Sequence, residues 1–408
     1  MIWSAFLHIY QPPWQKPTML KKIAGQSYWR IVHILEKHPN ARITLNINGV
    51  LTEQLAQNGF RSLLRAFQHL VAKGQIELVG SAKYHAILPL LPKSEMIRQI
   101  ELNNITNKKY FGKWYKPKGF FPPEMCWGEN MSPVLRKLGF EWVILDEIAI
   151  NPTLSPGGYR ESECFDGKDN LHFFFRSRNA SDLFSTSVIR SANHFLRLTK
   201  RMRRADFLIT AFDGENLGHH SPKMDNRFEE IVAHPGVKML THSELFRICS
   251  IHQPVRPLAS SWSTRPEDMK KHIPYPLWKH PDNPIHKLQW EIFSTTLRAI
   301  STRAHRPGFS KARALLDQAL SSDQFWWASA MPWWGIKEAL LGTRLFLAAL
   351  EALPNGSLAS VRKTVERKLS ELDEKLSEWQ KTGKADKIKR AFLNHEPYAR
   401  YFGGEKVK

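Results

Sequence analysis

Through the first 245 or so residues, short apolar runs alternate with longer stretches whose apolar residues recur every three or four positions. The runs at 3–8, 43–47, 76–79, 119–121, 142–145, 172–175, 207–212 and 238–240 are rich in β-branched and aromatic residues and lie between turn formers, the signature of buried strands. The stretches at 25–37, 51–73, 93–111 and 132–138 carry the helical period. Strand–helix alternation implies a parallel sheet with crossover helices, and seven or eight such units close most naturally into a barrel. The pattern then changes. Residues 253–287 are rich in Pro, Trp, His and Ser with little periodicity, which predicts a long ordered loop of the kind that serves function. Beyond it Val361, Val365, Leu369, Leu372 and Leu376 mark one face of a helix. We therefore expect an α/β barrel domain at 1–255 and a mostly helical domain at 256–408, with residues 403–408 frayed. No fixed-period repeat and no low-complexity tract is seen.

The length of 408 residues and a hydrophobic content of 42% are enough for a sizeable core. No run reaches the roughly 18 apolar residues of a membrane span. The N-terminus lacks the basic and long apolar regions of a signal peptide, so Met1 to Leu7 reads as the first strand. Three cysteines, Cys126, Cys164 and Cys249, with no paired spacing argue against a disulfide framework and predict a reducing cytoplasm. The net charge of +21 raises the question of nucleic acid. However, the basic residues are spread out, and the densest run, Lys200-Arg201-Met202-Arg203-Arg204, reads as a helix end. No zinc-finger or RNA-binding signature accompanies them, so any polyanion contact is expected to be non-specific. The 14 tryptophans are a better guide, because aromatic faces in loops stack on the apolar faces of sugar rings.

Three polar clusters follow three apolar runs: His8-Ile9-Tyr10-Gln11, Glu124 after Phe120-Phe121-Pro122-Pro123, and Asp213-Gly214-Glu215 after Phe207–Phe212. Acids at the C-terminal ends of barrel strands sit where such folds place their chemistry. A pair of them suits acid/base or glycosidic work. A helix cap is the plainer reading of each acid taken singly.

Taken together the clusters resemble glycoside hydrolase family 57, a retaining, α-glucan-active family with five short regions. These are similar to His8 through Pro12; Gly74 through Leu78 continuing to Tyr84–Pro89; Gly119 through Glu124; Asp213 through His219; and Pro276-Leu277-Trp278 through Asn283, His286 and Trp290. The resemblance spans roughly 1–335 and includes Trp326-Trp327 and Pro332-Trp333-Trp334. It implies an incomplete (β/α)7 barrel followed by a mostly helical region, with Glu124 as nucleophile and Asp213 as acid/base. Ala86 and Asn216-Leu217 depart from the family pattern, which bears on loop shape and substrate preference and leaves both acids in place.

The implied activity is α-amylase-type cleavage of α-1,4 linkages through a covalent glycosyl-Glu124 intermediate, on an α-glucan or maltooligosaccharide substrate. Alternatives are a 4-α-glucanotransferase or another α-glycosidase of the same family, and a non-catalytic carbohydrate-binding protein. His8, Gln11, Glu77, His85, Glu215 and His220 are candidate partners of sugar hydroxyls; Trp127, Trp262, Trp278 and Trp333 are candidate aromatic contacts. For Glu77 the competing reading is an ion pair elsewhere, and for each of Trp262, Trp278 and Trp333 it is core packing. Cys126 has no identifiable activating base and reads as packing. No cofactor and no metal is expected: His219 and His220 are adjacent and cannot easily share one ion, no HExxH is present, and the Asp/His/His set of a polysaccharide deacetylase is not discernible. The sequence does not reveal an oligomeric state.

Overall fold

A computed structural model describes residues 1–154, 164–167, 170–200, 202, 207–249, 252–354 and 358–394. The basic residues Arg201, Arg203 and Arg204 and the terminal 403–408 lie outside the described residues. The chain divides into two compact units, Met1–Lys270 and Lys271–Lys408.

Among the described residues the first unit has ten strands: β1 (Ile2–Ile9), β2 (Ile43–Ile47), β3 (Ile76–Leu78), β4 (Gly119–Phe120), β5 (Trp142–Asp146), β6 (Cys164–Asp166), β7 (His172–Arg176), β8 (Phe207–Asp213), β9 (Lys238–Met239) and β10 (His252–Pro254). One sheet has the order β3-β2-β1-β8 with β9 against β1, and the other β10-β6-β7-β5-β4. All pairs are parallel except β6 with β7. The sheets join where the Gly80 N–H donates to Gly119 O and the Phe121 N–H to Gly80 O. On the far side the Ser177 N–H donates to Ile209 O. The strands β8, β1, β2, β3, β4, β5 and β7 thus run round an incomplete barrel.

Strand β1 shows how the alternation builds this. Trp3, Ala5, Leu7 and Ile9 face outward into the layer packed under the helices, while Phe6 belongs to the interior cluster with Phe121, Trp142, Ile144, Phe174 and Ile209. Both faces are buried, as a covered parallel sheet requires. The inward positions Ser4, Phe6 and His8 therefore form a column, with Ser4 bonded to His242 at its foot and His8 at its top. Trp3 packs on Phe184, Phe195 and Phe228; truncating such a buried aromatic costs about 3–5 kcal/mol.

The expected helix at 93–111 forms as Lys93–Phe111. The one expected at 51–73 is broken into Gly49–Gln57 and Arg61–Ala72, because Gly59 takes φ 88°. The one expected from 25 starts earlier, at Pro17. Within 253–287 the short helix Pro266–Lys270 forms, and the next helix, Pro284–Ser301, begins before the stretch ends. Strands β6 and β10 escaped the sequence reading, since β10 is exposed throughout and lacks an apolar run. The absence of a disulfide, expected from the cysteine spacing, is corrected: Cys164 and Cys249 are bonded across 85 residues. Spacing could not reveal a pair that tertiary strand order brings together. This bond is at odds with the reducing compartment inferred from the cysteine count. Cys126 is free and buried, and burial pushes its thiol up.

The second unit is helical, with its main helices at Pro284–Ser301, Phe309–Ala319, Ile336–Glu351, Ala359–Lys381 and Lys384–Leu393. Val365, Leu369, Leu372 and Leu376 are buried on one face of Ala359–Lys381, as their spacing predicted. Asn283 caps Pro284–Ser301 by accepting from the Ile285 and His286 N–H groups. No helix is long and apolar enough to cross a membrane, among the described residues.

Candidate active site

The C-terminal ends of the barrel strands carry a ring of polar residues: His8 on β1, Asn46 on β2, Glu124 beyond β4, Asp146 on β5, Arg176 on β7 and Asp213 on β8. Register ties three of them directly. His8 lies opposite Asn46 on one side and Asp213 on the other.

Glu124 sits in a tight turn at φ 59°, ψ 17°, followed by Met125 at φ 50°. Left-handed backbone at two successive non-glycine residues is strained, and such strain persists where the surroundings enforce it. Here the Trp262 N–H donates to the Glu124 backbone carbonyl (3.1 Å), and the Trp262 indole N–H donates to Glu124 Oε2 (2.7 Å). Trp262 therefore clamps the residue by both main chain and side chain. His85, also left-handed at φ 57°, brings Nδ1 to 3.5 Å from Glu124 Oε1.

The two histidines are stacked (4.9 Å between rings) and linked Nε2 to Nε2 at 3.1 Å, while His8 Nδ1 lies 2.7 Å from Asn46 Oδ1. An amide oxygen only accepts, so His8 carries its proton on Nδ1, and its Nε2 accepts from His85. Burial lowers His8 to about 4; burial and then the neighbouring His8 hold His85 well below the usual imidazole range. Both rings are neutral at neutral pH.

Asp213 ends β8. Burial pushes it up to about 6 against the opposing pull of the Arg176 charge. Arg176 lies 5.3 Å over the Trp262 ring and pairs with Asp146 (2.7 Å), which Arg178 also holds (2.7 Å). One guanidinium thus faces both the clamp on Glu124 and the carboxyl of Asp213. After Asp213 the chain must pass close under β1: a Cβ at Gly214 would stand 2.5 Å from Ile9. Glu215 is buried and accepts at Oε1 from the Tyr28 hydroxyl (2.5 Å), Gln11 Nε2 (3.1 Å) and the Tyr10 N–H (3.3 Å). Burial, then the Asp213 charge, pushes it up to about 8, against those donors.

The structure brings together Glu124, Asp213, His8, Gln11, His85, Glu215 and Trp262. The other candidates have settings of their own. Glu77 lies two residues below the rim, where the Ser243 N–H and hydroxyl and the Thr44 hydroxyl donate to it at the start of helix His242–Ile248. That is a carboxylate at a helix N-terminus. Trp127 is buried edge-on against Phe173. His220 is exposed beside His219. Trp278 is fully buried within the second unit, and Trp333 is 47% exposed there, beside Trp326 and Trp327. Sequence reasoning missed Tyr28, Asp146 and Arg176; the only signal was an arginine closing the run Phe173-Phe174-Phe175.

An Asp/His/His cluster that could not be discerned in the sequence is present in the fold. Asp166, His172 and His252 meet on β6, β7 and β10 with ligand atoms within 4.8 Å of one another. They come from three strands and share no sequence spacing.

Comparison with known proteins agrees with this architecture. Over 143 residues the chain is 32% identical to an alpha-amylase of Pyrococcus horikoshii, covering 35% of this chain and 22% of that protein. Over 144 residues it is 29% identical to a 4-alpha-glucanotransferase of Thermococcus litoralis, covering 35% and 21%. The chain thus matches about a fifth of the length of these relatives. The crystal structure of a branching enzyme from Thermococcus kodakaraensis superposes with a TM-score of 0.70 at 15% identity, covering 91% of this chain and 94% of that one, which shows a shared fold. The pattern of Glycosyl hydrolase family 57 matches residues 7–259, a span that contains every residue of the rim, and the chain belongs to that family.

Proposed function

We propose that this chain is a retaining glycosidase acting on α-glucans, with Glu124 as nucleophile and Asp213 as acid/base. One observation carries the reading: Glu124, beyond β4 and bonded to Trp262, and Asp213, at the end of β8 opposite His8 and under the charge of Arg176, stand in unlike settings, with Trp262 touching both His8 and Arg176. Retention needs one carboxylate to attack the anomeric carbon and one carboxyl to protonate the departing oxygen, then deprotonate water. Trp262 holds Glu124 at both ends, which suits a group that must meet carbon at a set angle. Asp213, raised to about 6 by burial, holds a proton at mildly acidic pH and can receive it back. Neutral His8 and His85, with Gln11 and Tyr28 around Glu215, offer donors and acceptors for sugar hydroxyls.

The barrel unit carries the chemistry in this reading, and the helical unit binds glucan through Trp333 and its neighbours Trp326 and Trp327. Cleavage of α-1,4 linkages and transfer to a sugar acceptor share the covalent intermediate, and relatives bear both names. A cytoplasmic setting is compatible with the Cys164–Cys249 bond where intracellular disulfides are kept, as in hyperthermophiles. Product analysis by chromatography after incubation with maltoheptaose, soluble starch and pullulan tests the proposal. Shorter sugars alone mean hydrolysis, and longer ones as well mean transfer. Unchanged substrates that nonetheless bind would overturn catalysis in favour of a carbohydrate-binding protein.

A further inference from the structure

The second sheet ends in a cluster that the glucan chemistry does not use. Asp166 on β6 lies directly opposite His172 in the antiparallel register with β7, so their side chains share a face. On the other flank, β10 runs parallel to β6 with His252 opposite Cys164, two residues before Asp166 and therefore on that same face. The result is that His172 Nδ1 and His252 Nδ1 converge on one oxygen, Asp166 Oδ1, at 2.7 and 3.0 Å. The three side chains are 26–41% exposed, which leaves an approach from solvent. The Phe246 ring lies 4.5 Å from His172 and 5.5 Å from His252 and backs both imidazoles. The Cys164–Cys249 bond anchors the other end of β6 to the segment that leads into β10.

We propose that Asp166, His172 and His252 form a binding site for a divalent transition-metal ion, zinc by preference, with water as the remaining ligand. Two imidazole nitrogens and one carboxylate oxygen are the donor set of zinc and its neighbours, and they are a poor set for calcium or magnesium, which need several oxygens. Ligand atoms of a tetrahedral zinc with bonds of about 2.0–2.1 Å stand about 3.3 Å apart. The two histidine–aspartate edges, at 2.7 and 3.0 Å, therefore have to open by only a few tenths of an ångström, while the two imidazole nitrogens lie within 4.8 Å of each other. Each neutral imidazole coordinates through the Nδ1 lone pair with its proton moved to Nε2, so the hydrogen bonds onto Asp166 are replaced by metal bonds. The ion would tie β10, whose three residues are all exposed, to β6 and β7, as a second cross-link beside the disulfide.

The experiment uses the full chain with its disulfide intact, stripped with chelator and dialysed without reductant. Zinc chloride is titrated by calorimetry, and cobalt chloride is followed by the visible bands of four-coordinate cobalt. The proposal expects one site per chain, about micromolar or tighter, together with a rise in Tm. Asp166→Asn, which is nearly isosteric, and the double variant His172→Ala/His252→Ala should each weaken binding at least about 100-fold and abolish the rise in Tm. Their chelator-treated Tm should match the parent's, which shows that they fold. No zinc uptake by the parent, or uptake by both variants equal to the parent's, overturns the site.

Discussion

The first unit holds two carboxylate–imidazole groups, and burial separates what each can do. At the barrel rim His8, His85, Asp213 and Glu215 are enclosed; both histidines are lowered and both acids raised, so each group favours its neutral form. At the β6–β7–β10 edge Asp166 is solvent-accessible. Burial, the largest single influence, raises it, but the hydrogen bonds and charges of His252 and His172 together outweigh that and keep it below the ordinary carboxylate range. The dry setting suits groups that exchange protons, and the wet one suits groups that pair charges. Similar side chains therefore do different chemistry because one set lies at the barrel's buried rim and the other at a sheet edge.

The sharpest way to break the comparison is to remove a rim acid. Glu124→Gln should lower kcat at least about 10^4-fold on every substrate, activated aryl glycosides included, because no glycosyl ester can form. Asp213→Asn should cost about 10^2–10^4-fold where the leaving group is a sugar alcohol and much less in the first step with an aryl leaving group; equal losses on both substrates would contradict its role. Trp262→Phe keeps a ring under Arg176 but deletes the N–H on Glu124. We expect about 10–100-fold loss in kcat with little change in Tm. Unchanged kcat would show that the clamp is not needed.

The smallest expected effects are those of pH. If Asp213 is the acid, the basic limb of kcat/KM lies near pH 6, where it titrates. A limb near 8 would hand the role to Glu215. Stability follows with a definite sign. Both carboxyls are raised in the folded chain, so their contribution is full below about pH 4, where the unfolded groups titrate, and declines as pH rises through about 6 and about 8. The double variant Asp213→Asn/Glu215→Gln should gain Tm over the parent as pH rises from about 4 to 8, by a few degrees. A difference that stays flat across that window would show that these acids are not buried as described.

The alternation of strands and helices was legible because each rim strand is a buried apolar run with a helical stretch after it. The position of Glu124 and Asp213 on the rim was legible because Asp213 closes such a run and Glu124 follows one after two prolines. What stayed hidden depends on pairing between distant segments. Arg176 matters through Trp262, 86 positions away, and no local pattern marks that pair. Strand β10 has no apolar stripe, so neither its existence nor the meeting of His252 with Asp166 could be read from periodicity. Glu77 was seen to need a partner inside its strand, but Ser243 is 166 positions away. Trp278 was conspicuous in a Pro- and His-rich loop, yet it is core.

The central claim, that Glu124 attacks and Asp213 donates, is tested most directly by the anomer of the azide product, read by proton NMR. With an activated aryl α-glycoside and sodium azide, Asp213→Asn should trap a glycosyl-Glu124 ester that azide attacks from the acid/base side, giving the α-glycosyl azide. Glu124→Ala leaves a space on the nucleophile's own face, and azide entering there should give the β-glycosyl azide. The α-azide from the Asp213 variant with the β-azide from the Glu124 variant is the result this account predicts. The reverse pairing would exchange the two roles and contradict it.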